Sequence, residues 1–170
     1  MNKDYYITLR EKYVPQNIRT IFVLESPPTS GKFFYNPIGE TTEPLFSAMM
    51  KCVIHIKPNT KDTKADGLAR FQKAGYLIVD ATYTPVNGLS RRQRNKIIER
   101  DYPDLLGDLN TLVSKKKSKT KIILVKANIC RLLEPKLVAD GFNIANAGAV
   151  VPFPAYGNQR KFCVEIQKLI

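Results

Sequence analysis

The sequence predicts an α/β fold: a three-layer α/β/α sandwich around a short, mostly parallel four-stranded sheet. Two observations favour it. Apolar runs without polar alternation recur along the chain, which is typical of parallel strands buried on both faces. Amphipathic helical patterns lie between these runs, and strands that alternate with helices indicate a layered α/β domain. A length of 170 residues suits one domain spanning 1–170.

Four segments are predicted as strands because they are short and rich in Ile, Val, Leu or Ala. They are Thr20–Leu24, Gly75–Val79, Lys121–Val125 and, as the weakest, Ala147–Val151. Helices are predicted from apolar residues at helical spacing, with Ser90 as an N-cap and Pro103 as a break or restart. The predicted helices are Glu43–Cys52, Lys64–Lys73, Ser90–Thr111, Ala127–Asp140 and Arg160–Ile170.

The net charge is +12, from 27 Lys and Arg residues against 15 Asp and Glu residues. This positive charge favours a polyanionic partner, nucleic acid above all. No apolar run approaches the ~20 residues of a membrane span. The first residues carry charges where a signal peptide would be apolar. We therefore expect a cytoplasmic protein, associated with the nucleoid if it is bacterial.

The cysteines and the single histidine, His55, do not form a metal-binding pattern. There is no CxxC pair, and three cysteines cannot make a four-cysteine zinc or iron–sulfur site within one chain. Each cysteine has apolar neighbours and is interpreted as a small buried hydrophobic residue. These residues are Cys52, Cys130 and Cys163. We expect no metal and no cofactor.

Polar residues follow each predicted strand at its carboxyl end, where open parallel sheets bind ligands. Glu25 follows the first strand and Asp80 the second. Lys126 and Asn128 come after the third strand, and a Pro-x-Pro loop starts at Pro152 after the fourth. These strand ends are expected to converge on one crevice.

The same segments resemble the uracil-DNA glycosylase superfamily, from about Tyr13 to the C-terminus. In the family's order, the segments that carry the similarity are FVLESPP, GKFFYN, GYLIVDATYTPVNGLSRRQ, KIILVKANICRLL and VPFPAYGNQRKF. The resemblance implies base-excision repair without a metal: a monomer binds DNA, flips a deaminated base such as uracil, and hydrolyses its N-glycosidic bond.

The chain departs from the family's motifs at four points. The first motif lacks its leading Gly and the Asp or Asn that activates water in several branches. Val151 replaces the histidine of the last motif, and Asp80 replaces the Asn of a Thr-Asn pair. The iron–sulfur cysteines of some branches are absent. An enzyme with these changes would need a rearranged acid–base apparatus.

Two carboxylates at predicted strand ends are the catalytic candidates, since a carboxylate can stabilise the cationic sugar and activate water. Asp80 is the first choice because some branches of the family have a catalytic Asp at its equivalent; Glu25 is the second. The alternatives are that Asp80 reads the base edge or caps a turn. For Glu25 the alternative is a structural acceptor of backbone N–H groups.

The resemblance also implies contacts to base and DNA. Phe34 is the candidate for stacking on the flipped base, with Phe33 or Tyr35 as alternatives. The loop after Val151 would wedge into the duplex through Phe153 or Tyr156. The candidate base contacts are Ser26, Pro27, Phe34 and Tyr35. The candidate DNA contacts are Lys32, Phe153, Pro154, Tyr156, Asn158, Gln159, Arg160 and Lys161.

Two other functions remain open at this point. One is a non-catalytic protein on the same scaffold that binds DNA or a damaged base. The other is an unrelated α/β protein that acts on a small phosphorylated substrate. The chain lacks the Gly-x-Gly-x-x-Gly and Gly-x4-Gly-Lys-Ser/Thr signatures that would favour this last alternative.

Overall fold

The computed structural model describes residues 2–56 and 62–170. In chain order its elements are α1 Lys3–Glu11, β1 Thr20–Leu24, α2 Pro44–Cys52, α3 Lys64–Lys73, β2 Tyr76–Asp80, α4 Arg91–Arg100, α5 Tyr102–Val113, a 3₁₀ turn Ser114–Lys116, β3 Lys121–Leu124, α6 Ala127–Ala139, β4 Asn143–Ile144 and α7 Gln159–Gln167.

The four strands form one sheet in the order β2-β1-β3-β4, and every pair is parallel. All residues of β1 are buried, as its unbroken apolar sequence predicts. Leu24 of β1 is level with Asp80 of β2, and Val23 is level with Leu124 of β3. The α/β three-layer prediction is confirmed, and the carboxyl ends of the three longer strands lie at one edge of the sheet.

The predicted fourth strand, Ala147–Val151, is wrong. Strand β4 lies earlier, at Asn143–Ile144. Ala147 and Gly148 both have positive φ, 45° and 83°, which interrupts an extended strand. The side chain of Asn146 pairs with β3 instead: its Oδ1 accepts from the Leu124 N–H at 2.7 Å, and its Nδ2 donates to the Leu124 carbonyl at 3.0 Å. Val151 contributes one parallel bridge, to Val125.

The helix predicted over Ser90–Thr111 is two helices. The Ser90 side chain accepts from the Gln93 N–H in a capping box, as an N-cap residue should. The chain then restarts as α5, with a proline in the first turn as the sequence predicts. The sequence reasoning missed helix α1, whose N-cap Asn2 accepts from the Tyr5 N–H at 3.1 Å.

Cys52 and Cys163 form a disulfide, which corrects their interpretation as separate buried hydrophobic residues. Helix α2 packs against α7 and places the two Cα atoms 5.1 Å apart, within the range of disulfides. Cys130 is a buried free thiol, as expected. None of the helices in the described ranges is long and apolar enough to cross a bilayer.

The aromatic segment after β1 is attached to the sheet through Tyr35. Strand β2 lies at the edge of the sheet, so within residues 2–56 and 62–170 no strand pairs with its outer N–H and C=O groups. The Tyr35 hydroxyl accepts from the Ile78 N–H at 2.6 Å and donates to the Ile78 carbonyl at 3.2 Å. This buried side chain thus satisfies one residue of the open strand edge.

We expect Tyr35→Phe to lower the free energy of unfolding by about 1–3 kcal/mol, because it leaves the buried Ile78 N–H without its hydroxyl acceptor. Urea denaturation measures this change. Tyr5→Phe is the matched control, since Tyr5 is 40% exposed. Equal stability of the two variants would contradict this role of the Tyr35 hydroxyl.

Candidate functional site

A cavity of about 690 Å³ opens at the carboxyl edge of the sheet. This volume lies within the ~300–1,000 Å³ of typical ligand pockets. The ends of β1 and β2, the residues after β3, the aromatic segment, the start of α2 and the loop before α7 form its wall. The predicted site residues on this wall are Glu25, Ser26, Pro27, Lys32, Phe34, Asp80, Phe153, Tyr156, Asn158 and Lys161.

Four predicted site residues do not line the cavity. Tyr35 lies in the core and its hydroxyl already bonds Ile78, so its position does not support a base contact. Pro154, within the loop before α7, is buried. Gln159 and Arg160 are exposed on the first turn of α7, outside the wall. Exposed residues on this turn remain accessible to a phosphate backbone, but not to a ligand within the cavity.

Asp80 is buried, at 5% exposure, where β2 ends. Burial raises the pKa of its carboxyl to about 7, and the nearby Arg10 guanidinium only partly opposes this shift. Among the described residues, no side chain or backbone N–H donates a hydrogen bond to this carboxylate, so its interpretation as a turn cap is not supported. A buried carboxyl that titrates near neutral pH and lines a cavity is suited to accept a proton from water.

Asp80 also forms part of the wall of a second cavity, of about 670 Å³. Residues after β2 and the start of α5 line that cavity, among them Thr82, Asp101 and Asp108. Asp101 accepts from the Thr82 hydroxyl at 2.6 Å, and Asp108 pairs with buried Arg10. Asp80 is therefore approached by open space from two sides.

Glu25, in contrast, is held by side chains. Its Oε1 accepts from the Asn128 Nδ2 at 2.6 Å, and its Oε2 forms an ion pair with Lys126. The Arg94 guanidinium lies 3.7 Å from the same Oε2. From the sequence, backbone N–H groups are possible donors to Glu25. In the structure, side chains are its partners. Unlike Asp80, Glu25 has both oxygens occupied.

Lys126 is a site residue that the sequence analysis noted but did not assign. It follows β3, caps the N-terminus of α6 and lines the cavity. Its φ is 89°, a left-handed conformation that residues other than glycine rarely adopt. Its position directly after the third predicted strand was the signal that could have identified it.

The aromatic wall, which is the part of the cavity lining formed by Phe33 and Phe34, is held in place by the buried ion pair of Lys64 and Glu43. Lys64 is 1% exposed and donates to the Phe33 carbonyl at 2.8 Å and to Glu43 Oε2 at 2.6 Å. Burial lowers the pKa of Lys64, and the hydrogen bond that its ammonium donates to Glu43 opposes the shift. The Phe34 ring packs edge-on against Phe71, with centroids 5.3 Å apart. These contacts hold together the section of the cavity wall that Phe33, Phe34 and Glu43 form.

The loop before α7 carries an aromatic side chain at the cavity rim. Tyr156 is fully exposed, at 100%, and its φ is 52°, followed by Gly157 at 83°. Phe153, in the same loop, is half-buried against the core. Val151 is completely buried and does not line the cavity. The basic residues Lys32 and Lys161 lie on the same wall as Tyr156.

Comparison of the chain with protein-family models, curated proteins and solved structures found no match. The geometry of the cavity and the chemistry of the residues that line it are what indicate a function.

We expect Asp80→Asn to stabilise the protein at pH 8 but much less at pH 4.5. The folded-state pKa of Asp80, about 7, lies above the ~3.9 of an unfolded chain. Ionisation therefore costs the folded state more than the unfolded one, and stability is lost as pH rises from about 4 to 7. The difference between these two pKa values limits the loss of folding stability to about 4 kcal/mol at most. Urea denaturation at both pH values measures it, and an equal effect at both would contradict the assignment.

Proposed function

We propose that the protein is a monofunctional DNA glycosylase of base-excision repair. It flips a deaminated base, uracil or a similar one, into the cavity and hydrolyses its N-glycosidic bond. The proposal rests on one observation: a single cavity is lined by Asp80, by the aromatic wall at Phe34 and by the exposed Tyr156. The resemblance to the uracil-DNA glycosylase superfamily supports the same reaction.

The rim of the cavity supports DNA binding. A flipped base leaves a gap in the duplex, and an aromatic side chain that is already exposed can fill it without leaving the core. Tyr156 is such a side chain. Lys32 and Lys161 on the same wall would pair with phosphates, and the net charge of +12 would attract DNA at a distance.

The interior of the cavity supports base binding and hydrolysis. Phe34 lines the cavity and is the candidate ring for the base to stack on, an interaction of ~1–3 kcal/mol per base, although only 4% of its surface is exposed. When the bond from the sugar C1′ to the base nitrogen breaks, the electron pair leaves with the base and C1′ gains cationic character. The water oxygen then bonds C1′, and Asp80 accepts the proton. The ionised carboxylate also stabilises the cationic sugar.

A non-catalytic protein that binds DNA or a damaged base is the second candidate. Val151 favours it, because this buried side chain takes the place of the family's histidine and offers no donor to a departing base. On either candidate the protein would act as a monomer on DNA in the cytoplasm, at the nucleoid if it is bacterial.

The first test is strand scission of a uracil-containing oligonucleotide after alkali treatment. We expect scission by the wild type, with a rate that rises with pH through about 7 as Asp80 ionises and is constant above it. Asp80→Asn should lower the rate by about 10²–10⁴-fold. Asp4→Asn, a change to an exposed carboxylate of α1, is the control and should leave the rate unchanged. Salt-sensitive DNA binding without scission would favour the second candidate.

The second test concerns the wedge. We expect Tyr156→Ala to lower kcat/KM on duplex DNA by about tenfold or more, and less on single-stranded DNA, which has no stack to open. Val138→Ala is the matched control, since Val138 is 54% exposed near the far end of α6. An equal loss on both substrates would mean that Tyr156 does not act as a wedge.

A further inference from the structure

We propose that Lys126 stabilises the departing base as an anion and that Glu25 is the residue that positions it. This inference rests on the proposed glycosylase function and deepens it. It gives the cavity the positive charge toward the base that Val151 does not provide, and it assigns Glu25 a role other than activating water.

The backbone directs Lys126 to this place. Its N–H donates to the Val151 carbonyl at 2.7 Å, in continuation of the bridge between Val125 and Val151. Its φ of 89° is unfavourable for a side chain with a Cβ, so the surrounding structure must hold it. Strained residues of this kind cluster at functional sites. The Lys126 side chain is 34% exposed and lines the same cavity as Asp80.

Glu25 holds the ammonium group from one side. Asn128 and Arg94 fix the Glu25 carboxylate, at 2.6 and 3.7 Å, and Lys126 pairs with its Oε2. A lysine ammonium has three N–H donors. Among the described residues, Glu25 is the one acceptor that bonds Lys126 Nζ, so two donors remain for a ligand.

The chemistry of the reaction requires charge at this point. The base leaves with the electron pair of the glycosidic bond, and its negative charge spreads over the ring nitrogen and the carbonyl oxygens. A fixed cation in a partly buried site stabilises that charge as it develops. The proton that Asp80 takes from water then passes to the free base. The products are an abasic sugar and the neutral base, so atoms and charge balance.

The leaving group distinguishes this role from a structural one. The experiment measures single-turnover excision of uracil and of 5-fluorouracil, whose anion is the more stable, by the wild type and by Lys126→Met. We expect a loss of about 10²-fold or more for uracil and a clearly smaller loss for 5-fluorouracil. Lys126→Arg, which keeps the charge, should recover part of the rate. Lys168→Met, a change to an exposed lysine, should affect neither base.

Glu25→Gln should shift the two rates in the same direction as Lys126→Met, but by less. The same factor of loss for both bases in Lys126→Met would overturn the inference and leave the glycosylase function in place. Lys126→Gln provides a second neutral variant if the methionine variant does not fold. Absence of excision by the wild type, in contrast, would reject the glycosylase itself.

A binding measurement tests Lys126 without turnover. Free 5-nitrouracil is an anion at neutral pH, whereas uracil is neutral. Calorimetry should show that the wild type binds 5-nitrouracil more tightly than uracil, and that Lys126→Met weakens 5-nitrouracil binding by tenfold or more with little effect on uracil. Equal affinities of the wild type for the two bases would overturn the anion role.

Discussion

The register of β1 with its two neighbours is the constraint on which the site depends. Because β1 pairs with β2 and β3 in parallel, Leu24, Asp80 and the residues after Leu124 reach the same edge of the sheet. Hydrogen bonds continue past the strands, from the Thr82 N–H to the Glu25 carbonyl at 3.2 Å. A shift of one residue in β2 would turn Asp80 to the opposite face. Strand pairing therefore places Asp80 and the ion-paired Glu25 at the ends of neighbouring strands, on the same edge of the sheet.

Most of the fold could be predicted from the sequence because unbroken apolar runs and capping residues are local signals. The bounds of β1 and α3 agree with the prediction, and Ser90 caps a helix as expected. Strand β4 could not be predicted, because two residues carry no periodicity and the Asn146 side chain takes over the hydrogen bonds of a longer strand. The disulfide was equally hidden, since its cysteines are 111 residues apart and meet through helix packing.

The site was predictable in its location but not in its internal bonding. Strand ends and proline-stiffened loops indicate where a crevice forms, and the cavity indeed gathers Asp80, Phe34 and Tyr156. Sequence does not reveal which carboxylate is paired, because the partners of Glu25 come from other helices. Nor does the sequence reveal that two consecutive aromatic residues have different surroundings. Phe34 lines the cavity, whereas Tyr35 bonds the edge of strand β2.

On the proposed glycosylase function, the position of Asp80 between two cavities has a consequence for inhibition. A small cationic compound, such as an amidine, that occupies the cavity beside Thr82 and Asp108 would pair with the carboxylate from behind. It would remove the proton acceptor while the front cavity stays empty, so raising the DNA concentration would not displace it. Inhibitors of this kind would be non-competitive, and they would not have to resemble a nucleobase.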